Sequence, residues 1–232
     1  MEIIPSRVFS TLYIYIDIAW LIIFLAILLY FKKYLAVFAG LIGSALYFMI
    51  DFGIFYLLLD TRVVHGVNPA ILLLWLSISY GFTNFAWIWL WLDRDGHAFE
   101  WSFLIISGWF TTALLSQNFG NNLSMISIQR GTSSYHGAMA LILFIGYALL
   151  IIMNIKNKIL EKKINIIWIL TIGILVQLSW ESVLLITGIR ATNWMPLVIN
   201  SLLETNLGLP YLFLIHRAVT LRYREDLKRC ET

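Results

Sequence analysis

Apolar residues dominate this chain in long runs, and polar residues gather in short clusters between them. Seven such runs can be drawn, at roughly 12–31, 34–58, 69–92, 101–117, 136–154, 165–188 and 196–216. Each is close to the roughly 20 residues that an α-helix needs to cross a bilayer's hydrocarbon core. The connections between them are short and leave no room for a separate soluble domain. Residues 1–232 are therefore expected to form one all-α domain, a polytopic membrane protein of seven transmembrane helices.

Composition agrees with that picture. The chain is 60% hydrophobic and 12% charged, with a mean hydropathy of +0.83, and a soluble domain needs far more polar surface. The first run ends in Phe31-Lys32-Lys33 rather than at small residues, and no basic segment precedes it. It is expected to stay as a span and not to be cleaved as a signal. Cys230 is the only cysteine, which excludes intramolecular disulfides and thiolate metal cages.

The cations add an orientation. Twelve lie in the connections after runs one, three and five and in the C-terminal tail: Lys32, Lys33, Arg94, Lys156, Lys158, Lys162, Lys163, Arg217, Arg222, Arg224, Lys228 and Arg229. Four lie on the other side, Arg7, Arg62, Arg130 and Arg190, and twelve plus four accounts for all 16. The bias of Lys and Arg toward the cytoplasm then predicts the N-terminus outside and the C-terminus in the cytoplasm. With the basic charge gathered at one face, and with no aromatic–basic alternation outside the spans, nucleic acid is not an expected partner.

Of the 13 acidic residues, four fall inside spans: Asp17, Asp51, Glu181 and Glu204. Each lies about six to eight residues from the outer end of its span, which places all four roughly 9–12 Å below the outer boundary. No Lys or Arg falls inside the same spans near them. An acid at the centre of a bilayer costs about 2.5–3.5 kcal/mol on insertion scales and usually marks function. Polar and aromatic neighbours share their helical faces at spacings of three, four and seven residues. These are Tyr13 and Trp20 with Asp17, Tyr47 with Asp51, Gln177 and Trp180 with Glu181, and Gly208 and Tyr211 with Glu204. Thr111, Thr112, Gln117 and Asn118 reach the same level from span four.

The expectation is a pocket in the outer half of the membrane, lined by carboxyls and ring faces. Asp51 and Glu204 are its candidate catalytic acids. Asp17, Trp20, Tyr47, Trp109, Gln177, Trp180, Glu181, Asn206 and Tyr211 are its candidate substrate-binding residues. Buried without cations, such carboxyls are expected to hold protons and to act as Brønsted acids, while ring faces attract a developing cation. The bland alternative is that the acids fasten helices by hydrogen bonds. Trp89, Trp91, Trp101, Trp168 and Trp194 flank the interfaces, where an aromatic belt explains them. The four histidines fall at different depths without metal-ligand spacing, so neither a metal nor another cofactor is implied.

Several stretches resemble the integral-membrane terpene cyclases of indole-diterpene and meroterpenoid pathways. In span seven these are Pro196-Leu197-Val198, the acid at Glu204, Gly208 and Tyr211. "SYHGA" (Ser134 to Ala138) resembles the start of that family's fifth span, and "EWS" (Glu100 to Ser102) its loop into the fourth. Asp51 stands where the family carries a glutamate after tryptophan, but Ile50 precedes it here, and the family's span-seven acid is more often aspartate. The resemblance implies a short seven-span enzyme that protonates a prenyl epoxide or olefin without metal and starts a cation cascade. One of Asp51 and Glu204 would protonate, and the other would orient the substrate or take the final proton. The substrate would be an isoprenoid or similarly lipid-like molecule drawn from the bilayer. The membrane would be the cytoplasmic membrane of a prokaryote or the endoplasmic reticulum of a fungus.

Other readings fit the same residues. Intramembrane acids also serve proton-coupled transporters and solute-binding membrane proteins, and Leu207-Gly208-Leu209-Pro210 could break a helix around a substrate. No internal repeat supports this. A retinal-type sensor held in span seven is excluded by the lack of lysine there.

Overall fold

The computed structural model describes residues 6–131, 135–157, 163–191 and 194–230. Ser134, Lys158 and Lys162 lie outside these residues, and so do the side chains of Trp194, Pro196, Arg224, Lys228, Arg229 and Cys230. Among the described residues, seven helices are long and apolar enough to cross a membrane, as in a multi-pass membrane protein. They are α1 (Thr11–Tyr30), α2 (Tyr34–Phe48) with a π-helical continuation (Met49–Leu58), α3 (Pro69–Leu92) and α4 (Ala98–Phe119), followed by α5 (His136–Lys156), α6 (Ile166–Ile186) and α7 (Trp194–Cys230). The apolar runs match these helices within a few residues, except that α7 extends well past residue 216.

Local chemistry explains the helix starts. Asn68 caps α3, its side-chain oxygen accepting from the backbone N–H of Ala70 at 2.9 Å, with Pro69 in the first turn where its missing N–H costs nothing. Asn165 caps α6 in the same way, through Trp168 N–H at 3.0 Å. Small residues set the close approaches between helices, as is usual where lipid removes the hydrophobic drive between them. A Cβ on Gly81 of α3 would stand 2.6 Å from the backbone of Ser44 on α2. One on Gly108 of α4 would strike the Trp20 ring at 2.4 Å, and one on Gly173 of α6 would strike the Asn206 amide at 2.2 Å. The most enclosed helix is α3, with 78% of its apolar window buried, against 17% for α5.

Two features depart from the expected all-helical plan. The first is a three-stranded antiparallel sheet at one end of the bundle, β1 (Ser6–Ser10), β2 (Arg62–His65) and β3 (Met125–Arg130), in the order β1-β3-β2. Phe9, Ile126 and Ile128 turn inward and are buried. The second is the π-helical segment itself. π turns are rare and cluster at functional sites. The wider turn brings residues four apart into near register, so that Phe48, Phe52 and Tyr56 stack with ring centroids 5.1 and 5.5 Å apart.

Two expectations are corrected here. Helix α7 is continuous through Pro210, so Gly208-Leu209-Pro210 does not break it. The lost Pro210 N–H is tolerated, and the ring packs on α5, 3.0 Å from where a Cβ of Gly146 would stand. Trp89 and Trp101 are buried and do not form an interfacial belt. Trp89 packs on His216, and Trp101 packs on Phe24 and Phe31, because the ends of α3 and α4 are covered by neighbouring elements.

Candidate functional site

The sheet changes the electrostatics of the intramembrane acids. The four arginines of the cation-poor side all return to the bundle. Arg62 and Arg130 face each other across β2 and β3, and Arg7 of β1 bridges to Arg190 in the α6–α7 connection. Like charges directly opposite each other in a sheet are unfavourable, so each pair needs an anion, and the helices supply carboxylates. Asp51, in the π segment, accepts from Arg62 Nε at 3.0 Å and Nη2 at 2.7 Å, and from Arg130 Nη2 at 3.0 and 3.1 Å. The Arg62 guanidinium also lies 4.4 Å from the centroid of the Phe55 ring. Glu181 approaches Arg190 Nη1 at 2.6 Å as an ion contact without hydrogen-bond alignment, and accepts from Asn200 at 3.1 Å.

The expectation that these carboxyls lack cations is therefore wrong for Asp51 and Glu181. Their partners are far away in sequence and reach them only through the sheet. Four hydrogen bonds from the two guanidiniums converge on the Asp51 carboxyl. The cations are perturbed as well. Burial, reinforced by Arg190 and Arg130, draws the Arg7 guanidinium down to about 9, which still leaves it charged at neutral pH. Burial and Arg130 draw Arg62 down to about 10 against the opposing pull of Asp51. Arg130 is held up by Asp51 and Glu204, which outweigh its own burial.

Beside this cluster is a cavity of about 160 Å³. Asp51, Glu204, Gln177 and Tyr47 line it, as do Arg7, Arg62, Arg130, Tyr80 and Asn84, with apolar walls from Ile50, Phe85 and Leu212. Gln177 ties α6 to α7: its amide donates to Glu204 at 3.1 Å and to Glu181 at 3.3 Å, and accepts from Thr205 at 2.7 Å. Among the described residues, Glu204 accepts only from Gln177 and has no cation at ion-pair distance. Helix α2 and the π segment pack on α3, while α5 and α7 pack on each other and on α6. The cavity is lined from both groups, and Leu46 and Ile50 in its lining are 41% and 37% exposed. A Cβ on Gly208, which also lines it, would meet nothing within 4 Å.

The remaining sequence candidates lie elsewhere. Asp17 is fully buried and accepts from the Trp75 indole N–H at 2.9 Å, away from the cavity. Trp20 stacks on Phe24 between α1 and α4. Trp109 and Trp180 meet edge to face at 4.6 Å, and Trp180 meets Tyr80 at 4.4 Å, behind the cavity wall. Asn206 accepts from the Tyr147 hydroxyl at 3.0 Å, and the Tyr211 hydroxyl donates to the Ile142 carbonyl at 2.9 Å, so both are turned toward α5. Of the polar residues of α4, Gln117 donates to the Thr187 carbonyl and Asn118 to the Leu114 carbonyl; neither they nor Thr111 and Thr112 line the cavity. Of the eleven candidate site residues, then, Asp51, Glu204, Tyr47 and Gln177 share the cavity.

The sequence reading missed the arginines. Their signal was present as apolar–polar alternation in "MISIQR" and as short β-branched runs beginning "RV" at residues 7 and 62, the pattern of half-buried strands. Comparison with family models, curated proteins and solved structures returns no match for this chain.

Proposed function

We propose that the chain is a membrane-embedded terpene cyclase, as its resemblance implies, which admits an isoprenoid sideways from the bilayer and protonates it with Glu204. The observation that supports this reading most is the meeting of Asp51 and Glu204, from the second and seventh spans, on one cavity. Their environments give the two acids different roles. Asp51 is occupied by two guanidiniums and positions them. Glu204, held among the described residues by the Gln177 amide, would give the proton to an epoxide oxygen or a terminal olefin carbon. The epoxide C–O bond or the olefin π bond breaks, the cation closes rings against the faces of Tyr47, Tyr80 and Phe85, and the last cation loses a proton that restores Glu204. The net change is an isomerisation. The twelve-to-four split of cations supports an orientation with the sheet and the N-terminus outside and the C-terminus in the cytoplasm. Proton-coupled transport, the runner-up, loses its broken helix because α7 is continuous.

The test is mass spectrometry of small molecules extracted from the protein purified in mild detergent, comparing wild type with Glu204→Gln. A cyclised isoprenoid in the wild type and its uncyclised precursor in the variant are expected. Equal cyclised product from a folded Glu204→Gln protein would sink the assignment, and the absence of any isoprenoid from both samples would turn attention to transport.

A further inference from the structure

Among the described residues the charges around the cavity do not balance. Four guanidiniums, Arg7, Arg62, Arg130 and Arg190, are gathered with three carboxyls, Asp51, Glu181 and Glu204. Asp51 is shared by Arg62 and Arg130, and Glu181 is taken by Arg190. One positive charge is left over if Glu204 is ionised (four minus three), and two if it carries the proton it needs as an acid. Asp17 does not correct the count, since it accepts from Trp75 and does not line the cavity.

The excess is concentrated at Arg7, which is 3% exposed and lines the cavity. Its Nη1 donates to the Tyr80 hydroxyl rather than to a carboxylate, and its Nε has no hydrogen-bond partner among the described residues. The Nε of Arg130, which lines the same cavity, is likewise buried without a partner. A buried guanidinium without an anion is strongly unfavourable, and an arginine fork suits a carboxylate or phosphate.

We infer that the cavity binds the oxyanion headgroup of an amphiphile, carboxylate or phosphate, between Arg7 and Arg130. The inference rests on the reading that a lipid-like molecule occupies this cavity, and not on proton transfer from Glu204. A volume of about 160 Å³ is well above the roughly 10–15 Å³ that one water needs and admits a headgroup and a few carbons. The rest of the tail must leave past Leu46, Ile50 and the bare edge of Gly208. A protonated Glu204 can donate to the same oxyanion, so the acid and the headgroup are compatible there.

The test uses the full chain in a non-ionic detergent and four probes with one tail: dodecyl phosphate, dodecanoate, dodecanol and dodecyltrimethylammonium. Affinity is read from intrinsic tryptophan fluorescence. At least one anionic probe is expected to bind about tenfold or more tighter than dodecanol, and the tighter of the two identifies phosphate or carboxylate as the source. Arg7→Gln should bring the anions to the affinity of dodecanol, Arg7→Lys should restore part of the difference, and Gly208→Leu should weaken all four probes. Glu204→Gln should keep the anion preference whatever it does to turnover, which separates this inference from the proposed reaction. Equal affinity of wild type for dodecanol and both anions would overturn it. So would an intact preference in folded Arg7→Gln, or unchanged binding of all four probes in Gly208→Leu.

Discussion

At the end of the bundle that carries the sheet, Arg7, Arg62 and Arg190 are 2–4% exposed and meet carboxylates or a phenol inside the protein. At the opposite end the polar contacts stay nearer water: the Lys33 side chain, 32% exposed, reaches Asp95 in the α3–α4 loop, and the His216 ring meets Asp93, whose side chain is 37% exposed, at 2.7 Å. Exposed pairs of that kind contribute little individually. The few cations at the sheet end differ. Arg62 and Arg190 are buried, opposed by another arginine and paired with a specific acid, so removing either leaves a carboxylate short of a partner, whereas Arg7 meets the Tyr80 phenol. A lopsided count of positive charge therefore says where the unusual arginines are: on the poor side.

Changes at both ends can break this contrast. Asp51→Asn should have the largest effect, about 3–5 kcal/mol of lost stability, because two buried guanidiniums lose their shared carboxylate. Unfolding in mixed micelles would measure it, and a loss no larger than that of Asp93→Asn would erase the distinction between the ends. Overpacking the α2–α3 contact gives a reference that carries no charge. Gly81→Ala should cost about 1–3 kcal/mol, since the atom it meets is backbone and cannot yield. Arg7→Gln should change stability by no more than about 1 kcal/mol, for it removes a hydrogen bond and an unmatched buried charge together. A loss as large as that of Asp51→Asn would make Arg7 a structural residue.

The smallest effect belongs to Lys33→Ala, under about 1 kcal/mol at neutral pH. Burial raises the Asp95 carboxyl, but the hydrogen bonds from Lys33 and the His97 backbone N–H, together with the Lys33 charge, outweigh it and hold Asp95 below the ordinary carboxylate range. With the folded value depressed, the pair contributes stability above the unfolded value, near 4. The contribution is lost as pH falls through the folded value. Melting curves of wild type and Lys33→Ala should therefore differ at pH 7 and converge in acid. A constant difference across that window would assign the loss to the lysine stem.

Much of the fold was legible in the chain, and less of the site. The seven runs gave the helices because an 18-residue apolar window leaves a segment no other stable state in lipid. The pairing of Asp51 with Glu204 on one cavity could be expected from their similar depth. The partners of Asp51 could not. Arg62 and Arg130 reach it through the register of β2 on β3, and although strands of four and six residues leave a local pattern, that pattern does not say which strand pairs with which. Trp20 and Trp109 belong to α1 and α4, which do not line the cavity, and Asn206 and Tyr211 sit on α7 beside Glu204 but turn toward α5, so lying in a span at the right depth did not fix which side chains reach the site.

By itself the sequence determined the number, length and apolar character of the spans, and which acids lie within them. These depend on transfer of local segments from water to lipid, a property additive along the chain. The tertiary structure alone decided which acids are ion-paired, that span two unwinds into a π-helix around Asp51, and that Arg7 faces the cavity without a carboxylate. Those depend on interactions that fall off within a few ångströms, between residues that only the folded sheet and bundle bring together.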